Sequence, residues 1–140
     1  MTKPFLFRRF LAGLIDYSIV YLLFFVFTMK FGEPNHQGGY SISGSLVLIP
    51  MLFWFFIVVF LEAAYGATVG NSIVGLKPKS LERTSGVLSF GQSVKRHLLD
   101  PIDMFPLGIV GIIAIKNSNK HQRLGDMWAN TIVVEIPKKK

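Results

Sequence analysis

Two long apolar runs constrain this chain more than anything else in it. From Phe10 to Met29 only Gly13, Asp16, Ser18 and Thr28 fall outside the hydrophobic set. From Ser45 to Ala64 only Ser45, Pro50 and Glu62 do. Roughly 20 residues at a rise of about 1.5 Å make about 30 Å, the hydrocarbon thickness of a bilayer. Neither run carries a polar stripe wide enough for a helix lying on a soluble core, and the remaining sequence is too short to cover two such helices. Both read as transmembrane helices. The first differs from a signal peptide in its length, its internal aspartate and the lack of a small-x-small cleavage site, so it is expected to stay as an anchor. Phe5, Phe7 and Phe10 suit the aromatic belt at its start.

Composition narrows the classes further. With 140 residues the chain has room for one domain, and its charged share of 16% falls below the roughly 25% of average globular proteins. The absence of cysteine removes disulfide frameworks, cysteine zinc sites, iron–sulfur sites and thiol catalysis. The net charge of +7 points to nucleic acid or to an anionic membrane surface. The basic residues flank apolar runs and form no stripe, so no nucleic-acid partner is expected, and anionic lipid headgroups are. Lys138–Lys140 reads as a basic tail contacting them.

The flanking charges give a topology. Lys3, Arg8 and Arg9 precede the first run, Lys30 alone follows it, and Lys77, Lys79, Arg83, Lys95 and Arg96 follow the second. The positive-inside rule puts the N-terminus and residues 65–97 in the cytoplasm and residues 30–44 outside, in a multi-pass inner-membrane protein. A third apolar segment, 98–115, is broken by Asp100, Pro101, Asp103, Pro106, Gly108 and Gly111. It either spans or re-enters. Re-entrance is preferred because it keeps Lys116, Lys120, Arg123 and the tail on the basic side. Thr131–Ile136 is β-branched and weakly alternating, and reads as a strand able to pair with Ser72–Leu76. The expected fold is therefore an all-α membrane protein with two transmembrane helices, a third broken helix and a short cytoplasmic β pair.

Charged groups inside apolar runs are the candidate site. Asp16 lies about 9 Å into the first span, where a carboxylate is costly and normally faces protein, water or a partner. Arg9 shares its helix face two turns away, too far for direct contact, so a partner from another segment is expected. Glu62 near the end of the second span poses the same problem, and Arg96, Asp100 and Asp103 enter the third segment from that side. His36, His97 and His121 stand singly and read as surface or interfacial residues. No ordered Ser/His/Asp constellation supports hydrolysis. Gly66 and Gly70 have GxxxG spacing, but just past the span they read as a turn.

The stretches RRFLAGLIDYSIV (Arg8–Val20), LEAAYGATVGNSIVGLKP (Leu61–Pro78) and SVKRHLLDPIDMFPLGIVGIIAIKNSNKHQRLGDMWANTIVV (Ser93–Val134) together resemble the RDD family of membrane proteins. On this resemblance the family's arginine falls on Arg9, its first aspartate on Asp16, and its second on Asp126, with Asp103 the alternative. Two departures stand out. Asn71 replaces the lysine that ends the family's GxTxGK turn, which weakens any anion-binding role, and Ala129-Asn130-Thr131 replaces AGT. The resemblance implies an architecture more than an activity; cation/proton exchange has been suggested for members.

The expected functional cluster is Arg9, Asp16, Glu62, Arg96, Asp103, Arg123 and Asp126. Two readings stay open for it. One is a transport-related site for a monovalent cation or proton, opening to the cytoplasm, with Arg9 modulating Asp16 and Asp126 closing the site. The other is a structural ion-pair network in an assembly or accessory protein. No enzymatic activity and no cofactor or metal is expected, and a pathway through so few helices calls for a homo-oligomer.

Overall fold

A computed structural model describes residues 3–137. The expected lipid contact of Lys138–Lys140 lies outside the described residues. The first apolar run forms helix α1, Leu6–Phe31. The second forms a helix from Gly44 to Tyr65, here α2. At 26 and 22 residues they are about 39 and 33 Å long, enough to cross a bilayer with some tilt. Only 17% and 11% of their most apolar stretches is buried. A core helix of a soluble domain would be mostly covered, whereas these display Leu14, Leu22, Phe25, Met51, Leu52 and Phe56 outward.

Helix α2 is not uniform. It opens with a 3₁₀ turn, Gly44–Val47, and continues as α-helix over Leu48–Trp54. Pro50 sits in the first turn of that stretch, where a missing N–H costs little. A π-helical stretch follows at Phe55–Phe60. The extra residue per turn re-aims the chain, so that Val58, Val59 and Glu62 all face inward. Gly66, in the left-handed region at φ 82°, ends α2 and donates its N–H to the Glu62 carbonyl at 2.9 Å. A left-handed C-cap of this kind favours glycine.

At the opposite end a small hairpin pairs β1 (Glu33–Pro34) with β2 (Tyr40–Ser41). Beyond α2 come α3 (Val69–Ile73), β3 (Leu76–Ser80), α4 (Phe90–Leu98), α5 (Asp100–Asp103), α6 (Ile109–Asn117), α7 (Leu124–Trp128) and β4 (Thr131–Glu135). β3 and β4 pair antiparallel, Leu76 opposite Glu135 and Ser80 opposite Thr131. The expected strand at the C-terminal side is present. Its partner is displaced from Ser72–Leu76 to Leu76–Ser80, because Thr68 accepts the Asn71 N–H and caps α3 across residues 69–73. Pro78 is tolerated because both strands of a two-stranded sheet are edges.

The third apolar segment is no straight helix. α5 and α6 are four and nine residues long, separated by a turn at 104–108 that includes Leu107 and Gly108 at positive φ. Nine residues reach about 13 Å, far short of a bilayer. β4 returns the chain to the end where α1 begins: the Arg8 guanidinium donates to the Val74 carbonyl and to Glu135, both at 2.8 Å.

Candidate functional site

The start of α1, the end of α2, and α3 to α7 converge on an interior that is largely polar, with Asp16, Glu62, Arg96, His97, Asp100, Asp103 and Asp126 all buried. Among the largest fully buried side chains, only Leu76, Val58 and Val59 are aliphatic; the others include Arg96, Glu62, Asp100 and Asp126. Helix α4 explains how this is built. Ser89 and Gln92 form a reciprocal capping box at its start, which satisfies two otherwise orphaned N–H groups. Its buried face carries Gln92, Ser93, Arg96 and His97, while Phe90 and Leu98 lie exposed. The helix therefore turns polar residues inward, while its outward face mixes Phe90 and Leu98 with the exposed Lys95.

Arg96 is the hub. Its Nε donates to Glu62 Oε1 at 2.9 Å, and its Nη1 reaches both Asp126 and the Thr131 hydroxyl, the latter at 3.0 Å. Arg9 pairs with the other Asp126 oxygen and donates to the His121 carbonyl at 2.9 Å. Arg123 lies 2.8 Å from Asp100, 3.5 Å from Asp126 and 3.9 Å from Asp103. Burial alone would raise the Asp126 carboxyl, but Arg96, Arg9 and Arg123 hold it well below the usual carboxylate range. The Arg9–Asp126 pair joins the first and last of the sequence motifs, 117 residues apart.

Asp103 is held differently. It accepts the N–H groups of Leu124 and Gly125, both at 2.9 Å, and so caps the start of α7, where a carboxylate is favoured by orphaned donors and the helix dipole. Gly125 lets this turn press against the Arg96 backbone, since a Cβ there would collide with the Arg96 carbonyl.

Three residues outside the expected cluster belong to the site. His97 is buried, not superficial as the sequence suggested: its Nδ1 lies 2.7 Å from Asp100 and its Nε2 3.2 Å from Glu62. Burial alone would lower the imidazole, but the carboxylates of Glu62 and Asp100 outweigh it and raise its pKa to about 9. Asp100 also accepts the Tyr17 hydroxyl at 2.9 Å, and Tyr17 accepts the Trp54 indole N–H at 3.3 Å. The signal available in the sequence was the i, i+3 spacing of His97 and Asp100.

Asp16 departs from the rest. It is buried and has its partner from another segment, as expected, but that partner is neutral. The Gly70 N–H donates to Asp16 Oδ1 at 2.7 Å, and the Thr68 hydroxyl also reaches the carboxylate. Gly70 packs against α1 so closely that a Cβ would strike the Ala12 carbonyl and come within 2.9 Å of Asp16 Cγ. Among the described residues every ion pair of Arg9, Arg96 and Arg123 is with another carboxylate. The expected modulation of Asp16 by Arg9 is replaced by the Arg9–Asp126 pair. Among the described residues no group of His, Asp and Glu is arranged to hold a metal ion.

Two apolar, lipid-length helices over a buried charged base define an integral membrane protein. A family model described as RDD family matches residues 3–130, and the chain belongs to that family. No curated protein and no solved structure matches it significantly.

Proposed function

We propose that this protein handles a monovalent cation or proton at Asp16, in a transport-related role, from the cytoplasmic side of the inner membrane. The observation that carries the reading is a charge imbalance with one address. Five buried carboxylates (Asp16, Glu62, Asp100, Asp103, Asp126) meet three arginines and His97, and among the described residues Asp16 is the one of the five in no ion pair, His97 acting on it only at a distance. A buried carboxylate without a contacting counter-charge is stabilised by taking up a cation or a proton.

The basic flanks favour a multi-pass protein with the N-terminus, the β3–β4 pair and the C-terminal side all cytoplasmic. Segment 98–117 then enters and leaves on one face, with Phe105, Pro106 and Leu107 exposed at its turn. Two spanning helices per chain favour a homo-oligomer around any pathway, with anionic headgroups against the basic flanks. No chemical transformation is part of the reading.

A second reading, a structural network in an accessory protein, is favoured by the saturation of Arg96, whose guanidinium is shared between Glu62, Asp126 and Thr131. Cation and proton flux in proteoliposomes separates the two. Flux that disappears in Asp16→Asn, with oligomer size retained, supports the first; no flux from the unaltered protein supports the second.

A further inference from the structure

We infer that the cavity between α1, α2 and the folded-back segment 98–117 binds a lipophilic organic cation, an ammonium or phosphonium centre carrying an apolar body. This rests on the reading of Asp16 as a cation site and names its ligand class.

The space is about 740 Å³, the size of sites that enclose drug-sized molecules and far more than a bare ion or proton occupies. Its walls are mostly aliphatic but include the aromatic rings of Phe10, Tyr17, Tyr21, Trp54 and Phe105. Ring faces attract cations through their quadrupoles and tolerate an apolar body equally well, the combination by which quaternary ammonium groups are recognised. Tyr17 and Tyr21 stand one helical turn apart with ring centres at 6.4 Å, and Trp54 is tied to the Tyr17 hydroxyl, so part of this wall is fixed in advance.

Charge selects the sign. Arg9, Arg96 and Arg123 reach the lining, but their guanidinium groups are committed to Asp126, Glu62 and Asp100. Asp16 reaches the same lining with neutral partners alone. An anion would therefore meet a carboxylate that His97 offsets only at a distance, and no guanidinium without an acidic partner, whereas a cation can pair with Asp16 directly where the low dielectric strengthens the attraction. Access favours an apolar ligand. Tyr21, Phe105 and Leu107 line the cavity and are 66%, 69% and 84% exposed, so the space opens onto the apolar exterior, where such cations partition.

The test uses the full chain in phosphatidylcholine nanodiscs with tetraphenylphosphonium and tetraphenylborate, ions of one shape and opposite charge. In a Trp128→Phe background, Trp54 is the single fluorophore. Saturable quenching by the phosphonium is expected, with none by the borate, and Asp16→Asn should weaken it at least tenfold. Quenching equal for both ions, non-saturable, or unchanged in Asp16→Asn overturns the inference. Should Asp16→Asn elute as aggregate, Tyr21→Ala carries the test: several-fold weaker binding is expected, and unchanged affinity overturns it. Flux of small cations that needs Asp16, without saturable phosphonium binding, overturns the ligand class alone; loss of both results overturns the Asp16 reading too.

Discussion

At the hairpin end, α1 and α2 meet through side chains such as Phe27 and Phe53, edge to face at 5.9 Å, and most of the surrounding Leu, Phe and Met side chains point outward. At the other end the interior is rich in arginine, histidine and carboxylate, and α4 turns these inward while exposing Phe90, Lys95 and Leu98. The difference follows from the solvent. Between helices surrounded by lipid, burying one more apolar group gains little, because the tails are as apolar as leucine. Hydrogen bonds and ion pairs hold elements together there, since an unpaired polar group in the same surroundings is costly. The charged end therefore plays the part that an aliphatic core plays in a water-soluble domain.

If that contrast is right, the greatest loss comes from its hub. Arg96→Met leaves Glu62 with His97 and Ser93 alone and weakens the hold on Asp126, and should cost ~3–5 kcal/mol, as breaking a buried ion pair does. Thermal unfolding in a mild detergent measures it, and a loss below ~1 kcal/mol would break the comparison.

Titrating His97 is next. Its pKa is raised from 6.5 to about 9 in the folded protein, so the folded state binds the proton more tightly than the unfolded one. That contribution is complete below pH 6.5 and is lost as pH rises through about 9, by up to roughly 3 kcal/mol. The depressed carboxylates titrate far below this window and leave its slope untouched. Stability should fall from pH 6.5 to 9, and His97→Gln should flatten the curve. A flat profile in the unaltered protein would show that the imidazole is not charged between Glu62 and Asp100.

Gly70→Val sharpens the comparison at the contact between α3 and α1. The new side chain meets the Ala12 carbonyl and Asp16, so α3 must move away, at ~1–3 kcal/mol. Hydrogen exchange at the Gly70 N–H should speed up accordingly, and unchanged protection would remove the close approach. The smallest effect belongs to the hairpin half. Leu22 is 63% exposed, and Leu22→Ala should stay within about 0.5 kcal/mol. A loss comparable to that of Arg96→Met would mean that this face is covered by a second copy.

The contrast was partly legible in the sequence. Apolar runs of bilayer length announce themselves by length alone, and the helices extend the expected limits only slightly, to Leu6–Phe31 and Gly44–Tyr65. Strand Thr131–Glu135 was visible in its β-branched residues, whereas its partner was misplaced because Thr68 was not read as a cap. Arg9, Glu62, Arg96 and Arg123 stood out as charges beside apolar runs and Asp126 through the family resemblance, and the structure brings them together. Which carboxylate each arginine takes could not be read, because it depends on how 98–117 folds back and brings Asp126 to Arg9. His97, Asp100 and Tyr17 were missed as a unit for the same reason: they link α1, α4 and α5 through contacts that only the folded chain creates.

The central claim is that Asp126 is locked between guanidinium groups while Asp16 is left with neutral donors, and one pair of isosteric substitutions compares them directly. Unfolding midpoints of Asp126→Asn and Asp16→Asn, recorded in the same detergent and at the same pH, should separate widely. Asp126→Asn should be strongly destabilised, because Arg9 and Arg96 lose their shared counter-charge. Asp16→Asn should stay close to the unaltered protein, since an amide oxygen can still accept the Gly70 N–H. Equal losses at the two positions would contradict the account.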